Sequence, residues 1–341
     1  MSVTIKDIAR AAGVSHATVS RALHNNPAIS EKTARHVHQV AEALGYFPSA
    51  VARGLKTNRS RALGVIISSI ADPFFSEVLQ GIEETIQEAG YNLFVAATHR
   101  REDLAQKTVQ AMAERRVDGV IVLSASIQGE QWRFLSSTGM PFVVVNNQAS
   151  EDYRYSISHD DESGSRQLTR HLIELGHRRI AYLGNRTAGR TTEDRCRGYR
   201  AELEAAGIPL NEAYIHACGS GQPDCGEAAV PFFLSLPEPP TAIVCFNDWV
   251  AVGVIHGLQN AGVRVPQDCS VAGFDNIAFS RYVTPALTTF DQPKYHLGVE
   301  SARLMLDLLE RGEEAPESHI LVLKGELLVR ASTAPPGNNH K

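Results

Sequence analysis

Residues 4–25 read TIKDIARAAGVSHATVSRALHN, two short helical patterns separated by one tight turn. Thr4 stands as an N-cap with Asp7 three residues on, a weak variant of the capping box. Ile5, Ile8, Ala9 and Ala12 fall on one face, and Gly13 ends the helix. The pattern restarts at once: Ser15 caps a second helix that turns Val14, Val19, Ala22 and Leu23 to a core. Two short helices joined through Gly-Val-Ser predict a helix-turn-helix. A third helix, opening at Ser30 and running through EKTARHVHQVAEALGY, brings Val37, Val40, Ala41 and Leu44 to helical spacing and completes a small all-α bundle.

In a helix-turn-helix the second helix enters the major groove by its N-terminal residues. Here these are His16, Ala17 and, one turn on, Arg21, on the face opposite Val19 and Leu23. Arginine bonds a guanine edge in bidentate fashion, worth roughly 1–3 kcal/mol of discrimination. Ala17 suits a thymine methyl, and His16 a base acceptor. The hydroxyls of Ser15, Thr18 and Ser20 suit phosphates, which position a protein without specifying sequence. A protein-binding bundle is the alternative, and charge weighs against it. Residues 1–60 carry eight Lys/Arg and three Asp/Glu, whereas the rest carries the other 25 and 35. A net charge of -5 hides a basic head on an acidic body.

At 341 residues and 43% hydrophobic content, the chain is long enough for two or three packed domains. Its five cysteines (196, 218, 225, 245, 269) are scattered and form no CxxC pair. They read as small buried residues in a reducing compartment, neither a disulfide framework nor a zinc site. The opening MSVTIKDIAR lacks the apolar core of a signal peptide, and no run approaches 18 apolar residues. A cytoplasmic protein is expected, without membrane contact, metal or cofactor.

Residues 48–65, PSAVARGLKTNRSRALGV, change character halfway. Pro48 to Lys56 reads as a short basic helix with one bulky apolar residue, Leu55; a polar break follows, then a strand. Beyond it ALGVIIS, NLFVAAT, GVIVLS, FVVVN, RIAYLG, TAIVCFN and CSVAGFD alternate with amphipathic helices, the pattern of an α/β body with parallel sheets. Near-continuous Val/Ile content fits strands buried on both faces. In such sheets ligands sit outside the carboxyl ends of strands. The polar residues that follow each apolar run are Ser68, Asn146, Asn247, Asp248 and Asp275. Capping of the next helix is the alternative for each, and Asp248 is assigned to it.

The stretches VTIKDIARAAGVSHATVSRAL, TARHVHQVAEALGYFPSAVARGLKT, LGVIISSIADPFFSEVLQGIEE, RRVDGVIVL, HLIELGHRRIAYLG, RCRGYRAEL and FNDWVAVGV…GVRVPQDCSVAGFDN, in this order, resemble the lactose-repressor/galactose-repressor (LacI/GalR) family. They spread over residues 3–330. The resemblance implies a hinge helix at 49–57, folded on the operator, with Ala52, Arg53 and Lys56 beside a Leu55 that pries apart the central base step. A helix of that length is marginal alone in water, and an apolar wedge between bases kinks DNA. The resemblance also implies a body like the periplasmic sugar-binding proteins, two Rossmann-like subdomains joined by three crossings near 158–160, 284–290 and 318–321. Arg195, Asn247, Asp275 and Gln292, with Ser68, Asp72 and Phe74, match the family's effector-contacting positions. Asn146 replaces the usual aspartate, and Gly221 stands near where several relatives carry a stacking ring. His24 replaces the family's common Asn, and His16 is not the commonest residue at its position.

One guanidinium among carboxylates and amides suits a polyhydroxylated ligand, since each bonds vicinal hydroxyls. GNRTAGR (184–190) lacks the spacing of a phosphate loop. His36, His38, His171 and His177 lack partners at metal-ligand spacing, and HDD (159–161) reads as part of the first crossing. No nucleophile elbow is present. The expectation is a non-enzymatic repressor of a carbohydrate-utilisation operon, a homodimer on double-stranded operator DNA, responsive to a sugar or glycoside. A purine, nucleoside or protein co-regulator is the alternative effector, and a sugar-binding protein without a DNA role the alternative class. The domains expected are 1–48 (helix-turn-helix), 49–61 (hinge and linker) and 62–333 (effector-binding). Within the last, the N-subdomain takes about 62–158 and 290–318 and the C-subdomain about 159–288 and 321–333. Residues 334–341, Pro/Gly-rich, are expected as a disordered tail without the leucine heptad of tetramers.

Overall fold

The computed structural model describes residues 3–24, 26–46, 59–99, 101–123, 129–145 and 153–337. Ala52, Arg53, Leu55, Lys56 and Asn146, and with them the hinge expected at 49–57, lie outside the described residues. The chain divides into two compact units, 1–60 and 61–341.

The first unit holds α1 (Ile5–Ala12), α2 (His16–Leu23) and α3 (Glu31–Ala43). Thr4 and Asp7 close the capping box, with Thr4 N donating to Asp7 Oδ2 at 3.0 Å, and Gly13 ends α1 at φ 64°. Ser15 and Ser30 cap the next two helices by accepting from Thr18 N and Thr33 N. Ile8, Ala12, Val19, Ala22, Val37 and Ala41 form the core. Leu44, expected in it, is 38% exposed because it caps α3 past the last turn. Tyr46, whose N–H bonds the Ala41 carbonyl, packs there instead.

In the second unit β1 (Ala62–Ile67), α4 (Phe74–Glu88), β2 (Asn92–Ala97), α5 (Glu102–Glu114) and β3 (Gly119–Leu123) come first. Next are α6 (Gly129–Ser137), β4 (Phe142–Val145), β5 (Tyr155–His159), α7 (Asp161–Glu174), β6 (Ile180–Asn185) and α8 (Arg190–Ala205). Then follow β7 (Ile215–Cys218), α9 (Pro223–Leu234), β8 (Ala242–Cys245), α10 (Asp248–Asn260) and β9 (Ser270–Asp275). β10 (Thr288–Asp291), α11 (Lys294–Arg311), β11 (His319–Leu323) and β12 (Glu326–Leu328) complete it. Two six-stranded sheets result, ordered β11-β5-β4-β3-β1-β2 and β12-β10-β9-β8-β6-β7. Pairing is parallel except between β10 and β12.

The chain crosses between sheets after β5, after β10 and between β11 and β12. The first crossing lies near residue 159. The second and third come a few residues later than the sequence suggested, because Asp291 still pairs with Asp275 and residues 319–323 pair with 155–159. β1, β3, β6, β8 and β9 are buried throughout, as their Val/Ile content requires. β2 is not: it is an edge strand, with Phe94 and Val95 about 40% exposed. α4 and α11 cross at backbone contact, since a Cβ on Gly298 would collide with the Val78 carbonyl and one on Gly81 with that of Tyr295.

Two further expectations are corrected. The tail is fixed as far as it is described: Ala334 N donates to Ser270 Oγ (3.1 Å), and His177 Nε2 donates to the Ala334 carbonyl (2.9 Å). Buried partners, not tail composition, decide this. Cys218 and Cys225 form a disulfide, because the turn from β7 into α9 brings their Cα atoms to 5.8 Å.

Candidate DNA-binding face and effector cleft

On α2, Ser15, His16, Ala17 and Arg21 are exposed, while Val19 and Ala22 are buried. Packing of one face therefore frees the other. Ser15 Oγ also lies 2.9 Å from Thr18 Oγ1, so these two hydroxyls serve the cap as well as facing outward. His24 Nδ1 donates to the Ser20 carbonyl at 2.6 Å and closes the end of α2.

The second site is built around Arg195, 3% exposed on α8. Its Nε donates to Asp161 Oδ1 (2.6 Å), its Nη1 to the Phe246 carbonyl, and its Nη2 lies 3.5 Å from Asp275 Oδ1. The guanidinium stacks 3.8 Å from the Phe274 ring and 4.7 Å from that of Phe246. Two of its five N–H donors are thus used in hydrogen bonds among the described residues. His159 Nε2 donates to the same Asp161 oxygen at 2.9 Å. Burial by itself would raise the Asp161 carboxyl; attraction to His159 and Arg195, and the hydrogen bonds from both, outweigh it and hold the group below its ordinary range. HDD at 159–161 is thus more than a crossing, since Asp161 orients the arginine.

Gln292 Nε2 donates to Asp275 Oδ1, while Gln292 Oε1 is buried with no partner among the described residues. Burial pushes the Asp275 carboxyl well above its ordinary value against the pull of Arg195, and the carboxylates of Asp248 and Asp72 push it further. Asp275 and Asn276 sit at φ 109° and 52°, a region that costs roughly 1–3 kcal/mol for such residues. Lys294, 2% exposed, holds them: its Nζ donates to the Asp275 and Asn276 carbonyls and to that of Gln292 (3.3 Å). The same ammonium lies 3.7 Å from Glu77 on α4, so it ties the tips of the second sheet to the first subdomain.

Arg195, Asp275 and Gln292 are therefore brought into direct contact. Asn247 stands one strand away, capping α10 through Val250 N (2.8 Å) and donating to the Gly221 carbonyl (3.3 Å). Asp72 is buried, accepts from Phe74 N at 3.1 Å and acts electrostatically on Asp275. Ser68 is half-buried at the tip of β1, and Phe74 lies edge-on to Phe75 in the core of the first subdomain. Asp248 is not the cap expected of it. It is fully buried and accepts from Ile277 N (2.9 Å) and Thr289 Oγ1 (2.5 Å), a tie across the second sheet. Sequence reasoning singled out HDD but read Asp161 as part of a crossing, and it missed Lys294.

Among the described residues no group of three His, Cys, Asp or Glu is placed to hold a metal, and no helix is long and apolar enough to cross a membrane. Residues 4–49 match the family described as bacterial regulatory proteins, lacI family. Residues 60–324 match the periplasmic binding proteins and sugar binding domain of LacI family. The chain belongs to the LacI family. It is a ligand-responsive LacI-family DNA-binding repressor and not an enzyme. Among LacI-family relatives, the HTH-type transcriptional repressor PurR of Actinobacillus pleuropneumoniae is 32% identical over 96% of this chain and 98% of its own. The Lac repressor dimer bound to operator and the anti-inducer ONPF superposes with a TM-score of 0.86 at 26% identity, covering 98% of this chain and 100% of that one. The transcriptional regulator CelR in complex with cellobiose gives a TM-score of 0.74 at 28% identity, covering 97% and 99%.

Proposed function

We propose that this repressor controls a carbohydrate-utilisation operon from the cytoplasm, as a homodimer on a near-palindromic operator, and that a sugar or glycoside in the cleft changes its grip. The observation that carries the reading is the buried cluster of Arg195, Asp275 and Gln292, with guanidinium N–H groups, a carboxyl group and an amide oxygen unpartnered among the described residues. Vicinal hydroxyls donate and accept at once, which suits such a mixed set. A phosphorylated ligand would need more free positive charge, and Arg195 already faces two carboxylates. The description of the matched body as a sugar-binding domain, and the cellobiose held by CelR, add support.

In this reading Ser68, Asp72, Phe74, Asn146, Arg195, Asn247, Asp275 and Gln292 receive the effector. Ser15, His16, Ala17, Thr18, Ser20 and Arg21 meet DNA directly, and the hinge at 49–57 meets the minor groove through Ala52, Arg53, Leu55 and Lys56. Ligand closing the cleft shifts the N-subdomains, separates the two hinges and releases the operator. A thermal-shift screen of the full chain against sugars, glycosides, sugar phosphates and nucleosides tests it. A ligand at 100 times its Kd adds about 2.7 kcal/mol, enough to raise Tm by several degrees. A response to neutral sugars supports the reading. A response to nucleosides alone replaces the effector class, and silence from the whole panel makes a protein co-regulator the better reading.

A further inference from the structure

Asn185 ends β6 and is 1% exposed. Its Oδ1 accepts from Thr187 N at 3.0 Å and from the Thr187 hydroxyl at 2.9 Å. A backbone N–H only donates, so this end of the amide is the oxygen and the other is the NH2. That Nδ2 is buried with no partner among the described residues. Buried donors are nearly always satisfied, by protein, ordered water or ligand.

The sheet register places this donor. Leu183 pairs with Cys245 and Val244 with Ala272. β8 ends at Cys245, and the same offsets carried two and three residues further set Asn185 level with Asn247, the helix cap, and Asn247 with Asp275. Asp275 pairs with Asp291, immediately before Gln292. Side chains repeat on one face every second residue, so Asn185 and Asn247 follow Leu183 and Cys245, which share one core cluster. The row runs from Gln292, joined to Asp275 by its side chain and not by register, through Asn247, the cap just past β8, to Asn185, three strand intervals or about 14 Å at roughly 4.8 Å each. Its two ends are buried polar groups without partners among the described residues, an acceptor at Gln292 Oε1 and a donor at Asn185 Nδ2. At that separation neither satisfies the other. Gly221, bonded to Asn247 through its carbonyl, adds no side chain beside the row.

We infer that Asn185 is a specificity-determining effector contact, and that the effector is a two-ring glycoside of disaccharide length. One ring sits at Asp275 and Gln292, and the other offers an acceptor oxygen to Asn185. This rests on the sugar reading given above and narrows it.

Calorimetric titration of the full chain with glucose, galactose, cellobiose, lactose, maltose and adenosine tests it, on the parent, Asn185→Ala and Asn185→Asp. Aspartate keeps the acceptor for Thr187 and replaces the donor with a second oxygen, which carries a charge when ionised. The expected result is a disaccharide bound about tenfold or more tighter than either monosaccharide, with both variants losing roughly tenfold for the disaccharide and less than about twofold for a monosaccharide. Equal binding of monosaccharide and disaccharide overturns the inference while leaving the sugar reading intact. Equal losses for both ligand sizes reduce Asn185 to a structural role, and no loss at all removes it from the site. Binding of adenosine alone overturns the sugar reading and this inference together.

Discussion

Burial raises the Asp248 carboxyl to about 7, against the lowering pull of the Thr289 hydroxyl and the Ile277 N–H. Its ordinary value is 3.8, so between these limits the folded protein keeps a proton that the unfolded chain has released. The stability it contributes is complete below about pH 4 and is lost as pH rises through about 7. The Asp248→Asn variant keeps an acceptor for the Ile277 N–H and has no proton to lose at this position. Between pH 5 and pH 8 the parent should lose roughly 2–3 kcal/mol relative to Asp248→Asn, read by denaturant unfolding at each pH. A stability difference that stays flat over this range would show that Asp248 is ionised in the folded state throughout.

Between elements, α4 and α11 join distant parts of the chain and meet through Gly81 and Gly298. Gly298→Val pushes the helices apart at the base of the first subdomain and should cost about 1–3 kcal/mol. Urea unfolding reads this, and an unchanged midpoint would mean the helices are free to separate. The apolar runs of β1, β3, β4, β6, β8 and β9 were legible because a parallel strand covered on both faces needs that composition, and β2 carries a similar run at an exposed edge. β5 (YSISH), β7 (IHAC) and β10 (TTFD) were not, since their short polar runs become strands only through neighbours already in place. The same division runs through the polar cluster around Arg195. Asp275 and Asn247 follow from standing after apolar runs, and Arg195 and Gln292 from family resemblance. Asp161 and Lys294 become partners only when α7 packs on α8 and the chain crosses after β10, which no local spacing records. The Cys218–Cys225 pair likewise depends on a turn, with no motif to announce it.

Across the whole molecule, two chemistries share one chain: a basic three-helix unit with Arg21 outward, and an acidic body whose strand tips hold a buried polar cluster. Regulation requires that ligand bound to the second change the affinity of the first, a coupling typically about 1–3 kcal/mol or 5–150-fold. Lys294 grips the Asp275–Asn276 turn of the second subdomain from the first. The most direct measurement is fluorescence anisotropy of the full chain on a duplex selected from a random pool, with and without the sugar that raises Tm most, beside an Arg21→Ala control. A ligand-responsive repressor changes its operator Kd at least about fivefold on adding the sugar, and Arg21→Ala weakens the selected duplex by roughly 1–3 kcal/mol. Sequence-specific binding that ignores the sugar, or that survives the loss of Arg21 undiminished, would contradict it.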